Sequence, residues 1–514
     1  MMTQGQHRGD LTLRVDARVW RRLRDFHLCP GKREESLSYV WARCERVRGG
    51  QVVLVPGDAP VYQLGPDCYE RQSGGNVRLH PDVLNGMLVE FARSEFNCLV
   101  NVHDHWFADD AQFSGVDDDD DLRFDRYLRQ RFEPMLARRP EIGPARAIYN
   151  LSIVLAQRGC AARLTDVRRR VPFAPARRVC LLDERAMTAH VSVGGRRVAP
   201  RSAEPGSLAQ DRVARHAGFI APDHQAALGA MHLAVVGCGG LGSIMAESLA
   251  RVGVGQLTLI DGDVLEATNL NRWQGGRPAD IGEPKASLLA QRLREMVPHL
   301  RVKAVTRPLE HSRSILALTA ADAIVAGVDN DAARFILNHV SLQFLLPYFD
   351  VGVAISINPE VEFKGRYFAV IPGVTGCVEC KAFQLVDRNE VIRAFANPAV
   401  LAERRAAGYV IDQPDLPTPS AYVLNQRTAA LAVQELLNYV TGWRSTATFA
   451  GESWSTGTLM RADRDNYPDA PAECCPACSL RLGRGTSIPL PSVRSAAGVA
   501  RATFADMGGQ PLDA

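Results

Sequence analysis

Three clusters of residues have the types and spacing for chemistry. In the first, Gly237-Cys-Gly-Gly-Leu-Gly242 follows an apolar run and opens a helical stretch, satisfying G-x-G-x-x-G. Glycines at Gly237, Gly239, Gly240 and Gly242 let backbone approach a phosphate, and a helix N-terminus offers it unpaired N–H groups. Asp261 lies nineteen residues past Gly242, at the end of the next apolar run, where a carboxylate can accept from ribose hydroxyls. The run Asp261 to Arg272 also holds Asn269, while Lys285 and Asp329-Asn330 follow. Two cations and two carboxylates around one phosphate loop suit a triphosphate with Mg²⁺ better than a hydride carrier.

The second cluster is Cys377-Val-Glu-Cys380 and Cys475-Pro-Ala-Cys478, two C-x-x-C pairs with 94 residues between them. Four thiolates so arranged form a tetrahedral structural Zn²⁺ site. A redox dithiol would need only one pair. Cys474 reads as a bystander, and the seven other cysteines read as buried small hydrophobes.

The third is Val100-Asn-Val-His103-Asp-His105, followed by Ser114-Gly-Val-Asp117. Two histidines at i, i+2 on an extended segment face one side, so His103 and His105 can share an ion. Asp117, twelve residues beyond, completes three ligands and leaves a fourth position open, the pattern of a catalytic Zn²⁺. Ser114 can donate to a developing oxyanion. Glu35, opening the strand-like run Ser36 to Trp41, is the candidate general base, with Glu34 as the competing choice. Asp118 to Asp121 read as a solvated helix start favoured by the helix dipole.

These residues need elements to position them. His232–Val236, Gln256–Ile260, Val302–Val305 and Ala323–Ala326 read as strands, with helices over Ser243–Arg251 and Pro284–Met296. Alternation of this kind predicts an α/β, Rossmann-like doubly wound sheet. A Gly/Pro/Ser/Arg-rich stretch divides the chain, giving expected domains at 1–195 and 208–482, a linker at 196–207 and a flexible tail at 483–514. The chain has 514 residues, 60 Lys and Arg against 57 Asp and Glu, and 46% hydrophobic residues. That balance gives no overall footprint for nucleic acid and excludes wholesale disorder. No apolar run has membrane-spanning length and no export signal opens the sequence, so a cytoplasmic location off the membrane is expected.

Residues 208–480 resemble the ThiF/MoeB and ubiquitin-activating (E1-like) superfamily, through Arg212-Val-Ala-Arg215-His, GCGGLGS, the D-x-D…N-L-N-R run, Lys285 and Val328-Asp329-Asn330. The resemblance implies adenylation, with ATP, of the C-terminal glycine of a ubiquitin-like or sulfur-carrier protein. It implies ribose binding by Asp261, and phosphate contact and catalysis by Asn269, Arg272 and Lys285. Asp329 would be the Mg²⁺-associated aspartate, and Arg215 the arginine inserted into a partner subunit's site, hence a homodimer. The superfamily's structural zinc matches the two cysteine pairs. Members that pass the modifier to a conjugating enzyme carry an acceptor cysteine, and 381–473 contains none.

The N-terminal pattern of an upstream Glu, H-x-H and S-x-x-D resembles the JAB/JAMM metallopeptidases, implying an α+β, cytidine-deaminase-like domain that cleaves after ubiquitin-like C-termini. Asp104 and Trp106 stand where that family has a small residue and a proline, and the interval from His105 to Asp117 is one residue longer. The combined expectation is a modifier-activating enzyme fused to a peptidase acting on the same modifier. The alternatives are sulfur-carrier activation for cofactor or cysteine biosynthesis, adenylation of a short peptide, and a non-catalytic docking scaffold.

Overall fold

The computed structural model describes residues 10–47, 50–73, 76–137, 147–157, 159–167, 171–182, 188–190, 192–193, 196–197, 208–357, 361–380, 386–395, 419–443, 447–455, 461–463, 475–487 and 490. Most of the expected linker and tail, and Cys474, lie outside them. The chain forms two compact units, Met1–Leu181 with Thr188–Ala199, and Leu182–Met187 with Pro200–Ala514.

The first unit runs β1 (Asp10–Asp16), α1 (Ala17–His27), β2 (Leu37–Val47), β3 (Gly50–Val55), β4 (Val61–Gln63), β5 (Tyr69–Ser73), β6 (Asn76–Leu79), α2 (Pro81–Arg93) and β7 (Cys98–Asp104). Then come α3 (Gly115–Ala137), β8 (Tyr149–Ala156), β9 (Gly159–Asp166), β10 (Val171–Leu182), β11 (Thr188–His190), β12 (Ser192–Val193) and β13 (Arg196–Arg197). Its main sheet has the order β1-β3-β2-β7-β8-β9-β10-β11, with β4 on β2 and β1 also pairing β10. The central strands bury both faces, and period-2 alternation divides their side chains. Val40, Val100, Val102 and Ile153 pack with Trp20 and Leu23 of α1. Tyr39, Trp41 and Leu99 pack with Phe91 of α2 and Leu128 of α3. Parallel pairing of β7 with β8 runs from Cys98↔Tyr149 to Asp104↔Leu155, so β7 ends amid the sheet with His103 and His105 at its carboxyl edge.

The second unit begins α4 (Leu208–Val213), α5 (Pro222–Ala230), β14 (His232–Val236), α6 (Gly240–Val252), β15 (Gln256–Ile260), α7 (Lys285–Met296), β16 (Arg301–Val305), α8 (Ser312–Thr319), β17 (Ala323–Ala326) and α9 (Asp331–Phe344). It continues through β18 (Tyr348–Ser356), β19 (Glu362–Val370), α10 (Arg388–Phe395), α11 (Tyr422–Thr441), β20 (Phe449–Ser455), β21 (Arg461–Asp463) and α12 (Pro476–Arg481). The sheet order is β16-β15-β14-β17-β18-β19-β20-β21. It is parallel through β18 and antiparallel beyond, so the α/β expectation holds for the parallel half and an antiparallel extension is added. All five residues of β14 are buried, as a strand covered on both faces requires. Met245 and Leu249 of α6 share one core with Ala432, Leu436 and Tyr439 of α11. Among the described residues, no helix is long and apolar enough to cross a membrane.

Candidate functional site

In the second unit the chain leaves β14 through Gly237, whose φ of +79° suits glycine. A Cβ on Gly242 would sit 1.7 Å from the Gly237 carbonyl oxygen. A Cβ on Gly240 would meet Asn425 Nδ2 at 2.4 Å and Arg272 Cγ at 3.2 Å. At Gly239 a Cβ would meet nothing within 4 Å, so the loop is open there, at the N-terminus of α6. Asp261 braces the loop: its Oδ2 accepts from Cys238 N at 2.6 Å and its Oδ1 from Asp263 N at 2.8 Å. Burial raises the Asp261 carboxyl, opposed by those N–H groups and by Lys285.

Lys285 opens α7 and pairs through Nζ with Asp263 Oδ2 at 3.0 Å. Arg272 turns its Nη1 to Thr268 O at 2.6 Å and Asn271 Oδ1 at 3.1 Å. Asn269 is buried and its Oδ1 caps the local turn, accepting from Glu266 N at 3.2 Å. Asp329 is exposed just beyond β17, while Gly327 and Val328 pack against Gly237. The structure thus gathers the glycines, Asp261, Arg272 and Asn425 at the loop, with Lys285 beside Asp263 and Asp329 one residue from the Gly237 contact. Arg215 stands exposed on the turn Ala214–His216, and its guanidinium makes no hydrogen bond or ion pair among the described residues.

Sequence reasoning missed a buried group after Asp329. Arg334 pairs with Asp350 at 3.0 Å and Asp331 at 2.5 Å, and donates to Val328 O at 2.5 Å. Burial lowers the Arg334 guanidinium but Asp350 and Asp331 hold it above its ordinary value, so it stays charged and ties the start of α9 to β18. Trp273 was also missed; its Nε1 donates to Cys238 O at 2.7 Å and closes the loop from outside.

Cys377, Cys380, Cys475 and Cys478 converge, with all four sulfurs within 4.8 Å of one another. Cys377 Sγ lies 3.7 Å from Cys475 Sγ, and Cys380 Sγ 3.5 Å from Cys478 Sγ. Four clustered thiols in reach of tetrahedral coordination fit zinc. The outer partners sit on α9: Asn338 Oδ1 accepts from Val378 N at 3.0 Å, and His339 Nε2 meets Glu379 Oε1 at 2.6 Å. Of the other cysteines, Cys29 is exposed and Cys68 half-buried, which corrects the expectation that all are core hydrophobes.

In the first unit His103, His105 and Asp117 also bring their donor atoms within 4.8 Å. His103 Nε2 is 3.1 Å from Asp117 Oδ1, and His105 Nε2 is 3.5 Å from Asp117 Oδ2. His103 Nε2 is buried and, despite its nearness to Asp117, makes no well-aligned hydrogen bond among the described residues, as a nitrogen kept for a metal would. Two imidazole nitrogens and a carboxylate fit a three-ligand zinc site. Burial raises the Asp117 carboxyl, but the two imidazoles and the Ser114 N–H together hold it far below the carboxylate range. Glu35 is half-buried; burial raises its carboxyl, and His103 and His105 pull it down. Glu34 is exposed.

The aspartate run departs from the solvated reading at Asp121. Asp121 is buried and takes a two-pronged Arg163 contact at 2.7 and 2.6 Å, and Asp118 also pairs with Arg163. Ser152 Oγ donates to Asp121 at 2.5 Å and Asn150 Nδ2 to Asp125 at 2.9 Å. Asp118, Asp119 and Asp120 are exposed as expected, and of the four only Asp121 is buried. Arg163, over the Phe113 ring at 3.7 Å, thereby pins the start of α3, and with it Asp117, to β9. Asp104 points to the opposite face of β7, where Lys32 and His27 receive it at 2.6 and 2.7 Å.

Among curated proteins, the chain is similar to SAMP-activating enzyme E1 of Haloferax volcanii, 36% identical over 210 residues, covering 35% of this chain and 78% of that enzyme. It is 34% identical over 159 residues to the NEDD8-activating enzyme E1 catalytic subunit of Arabidopsis thaliana, covering 30% of this chain and 35% of that subunit, about a third of its length. A sulfur carrier protein adenylyltransferase of Thermus thermophilus is 29% identical over 179 residues, with coverage of 32% and 66%. Among solved structures, E. coli MccB with MccA-N7isoASN is 19% identical with a TM-score of 0.42, covering 52% of this chain and 74% of that one. The model of the ThiF family matches residues 213–473, just over half of the sequence, and the chain belongs to the ThiF family.

Proposed function

We propose that the second unit adenylates the C-terminal glycine of a ubiquitin-like or sulfur-carrier protein with ATP. The observation that carries this reading is the opening at Gly239 over the start of α6, braced by Asp261 and flanked by Arg272. Phosphate oxygens would take the N–H groups of the glycine loop, and Asp261 would meet the ribose. Lys285 would leave Asp263 for the phosphates, an exchange that is cheap because Asp263 is 70% exposed. The tail carboxylate attacks the α-phosphate, an O–P bond forms, and the bond to pyrophosphate breaks. Lys285 and Arg272 stabilise the charge that develops on the leaving group. Asp329, an exposed carboxylate, suits Mg²⁺, which would neutralise phosphate charge. Arg215, exposed and without an ion pair among the described residues, would be offered to the site of a second copy. The four cysteines would hold a structural zinc and brace α9.

The first unit is read as a zinc peptidase acting on that same modifier. His103, His105 and Asp117 would hold the zinc, which supplies Lewis acidity. Glu35 would take a proton from the attacking water and pass it to the leaving amine. The Ser114 hydroxyl would donate to the carbonyl oxygen as charge builds there.

The test is ATP–pyrophosphate exchange on the full chain with a panel of Gly-ending proteins, comparing wild type with Asp329→Ala. Exchange that needs one partner and vanishes in the variant supports the reading and identifies the modifier. Exchange that no partner stimulates overturns it. A sulfur-carrier partner has separate support in the likeness to the Thermus enzyme and in the absence of cysteine from 381–473. A thiocarboxylate product would distinguish it.

A further inference from the structure

Asp104 stands between the two histidines in the chain, yet its carboxylate is fully buried on the far face of β7. Its Oδ2 receives His27 Nδ1 at 2.7 Å, Lys32 Nζ at 2.6 Å and Ser36 N at 3.2 Å. Burial lowers the His27 imidazole despite Asp104, so His27 is a neutral donor at Nδ1 that meets Ser38 Oγ through Nε2 at 2.9 Å. Lys32 is the cation of the pair, with its side chain only 9% exposed, and its Nζ also donates to His27 O at 3.0 Å.

Lys32 and Ser36 bracket Glu35. Both ends of the segment 32–36 therefore converge on one carboxylate oxygen. On its other side the same backbone is held by β5, with Glu35 N donating to Ser73 O at 3.1 Å and Gln72 Nε2 to Glu35 O at 2.8 Å. Glu35 is thus clamped between β5 and the end of β7, two residues before Leu37, which pairs with His103 across β2 and β7.

We propose that Asp104, through its ion pair with Lys32, is the positioning residue that holds Glu35 over the His103–His105–Asp117 cluster. This rests on the peptidase reading of the first unit. It also explains how H-D-H works where the JAB/JAMM pattern has a small residue: the added carboxylate is turned away from the cluster and neutralised by Lys32. A buried pair of this kind adds little net stability but specifies one arrangement, here that of a loop with no helix or strand of its own.

The experiment uses the full chain with Asp104→Asn, which keeps shape and can still accept from Ser36 while losing the charge that holds Lys32. Hydrogen exchange, zinc affinity by chelator competition, and cleavage of a Gly-ending ubiquitin-like fusion are measured together. The expected result is about tenfold faster amide exchange in 32–36, with 98–104 still protected and zinc affinity unchanged. Cleavage should lose about tenfold or more in kcat with KM unchanged, and Glu35→Gln with Asp104→Asn should be no worse than Glu35→Gln alone. Lys32→Met should reproduce the pattern, and it carries the test if Asp104→Asn does not fold. Unchanged exchange in 32–36, or additive losses in the double variant, would overturn the positioning role while leaving the peptidase reading intact. Wild-type protein that binds no zinc at His103 overturns both.

Discussion

Ser114 and Asp117 cap the start of α3 for one another. Asp117 N donates to Ser114 Oγ at 3.2 Å, and Ser114 N donates to Asp117 Oδ2 at 2.5 Å. This is the reciprocal arrangement of a capping box, with Asp at the third helical position. Asp117 Oδ1 is left 3.1 Å from His103 Nε2, and the Ser114 hydroxyl, accepting through oxygen, keeps its proton to donate. One short motif therefore builds the helix start and equips the site.

Ser114→Ala separates the two roles. Loss of the cap should cost about 1 kcal/mol of unfolding free energy in the first unit. Zinc affinity should persist because Asp117 remains. Cleavage should fall by about two orders of magnitude if the hydroxyl serves the oxyanion. A variant that loses stability but keeps wild-type kcat would show that Ser114 is a cap only.

Metal content should resolve the two cysteine- and histidine-based clusters. The purified chain is expected to carry two zinc ions by elemental analysis, His103→Ala one, and Cys377→Ser one. A chelator should strip the three-ligand site first, since a buried four-thiolate site has no open position through which to exchange. Cys377→Ser should also lower the melting temperature of the second unit, because Val378 and Glu379 are tied to Asn338 and His339 on α9. One zinc in wild type, lost in Cys377→Ser but kept in His103→Ala, would leave the first unit without its metal.

Burial of Asp125 pushes its carboxyl up to about 6, partly opposed by Asn150. An acid whose folded value lies above its unfolded value binds protons more tightly when folded. Its contribution therefore favours folding below about pH 4 and is lost as pH rises through about 6. Asp125→Asn keeps an acceptor for Asn150 and removes the charge. It should stabilise the first unit by about 2 kcal/mol at pH 7 and by nothing at pH 3.5, measured by denaturant unfolding. A variant that loses stability at pH 7 would mean that Asp125 is ionised and paired in the native protein.

What was legible in the sequence was what close neighbours decide. The glycine loop lies within six residues, and H-x-H follows from the period of a strand. Asp121 was misread because its partner Arg163 lies on β9, more than forty residues away. Asp104 looked like a departure that threatens the cluster because Lys32 and His27, which turn it away, lie some seventy residues earlier. The strand β18 escaped notice because it carries Asp350 in its buried half, paired with Arg334 on the preceding helix. In each case a charge has a buried partner at long range, which composition and local periodicity do not report.

The glycine loop offers the sharpest separation of fold from function. Gly242 has no room, because a Cβ there would stand 1.7 Å from the Gly237 carbonyl oxygen, and that is backbone that cannot move without opening the turn. Gly242→Ala should destabilise the second unit by about 3 kcal/mol or more, in the range of severe backbone and packing defects. Gly239 is the converse. Its φ of −77° suits any residue, and a Cβ there would meet nothing within 4 Å. Gly239→Ala should therefore melt within about 2 °C of wild type, as a change well under 1 kcal/mol would. The added methyl, however, stands at the N-terminus of α6, where phosphate must approach the backbone N–H groups. ATP binding, measured by calorimetry, should weaken by about tenfold or more in a protein that is otherwise intact. If Gly239→Ala binds ATP like wild type, the nucleotide does not lie against this loop, and the adenylation reading loses the geometry on which it stands.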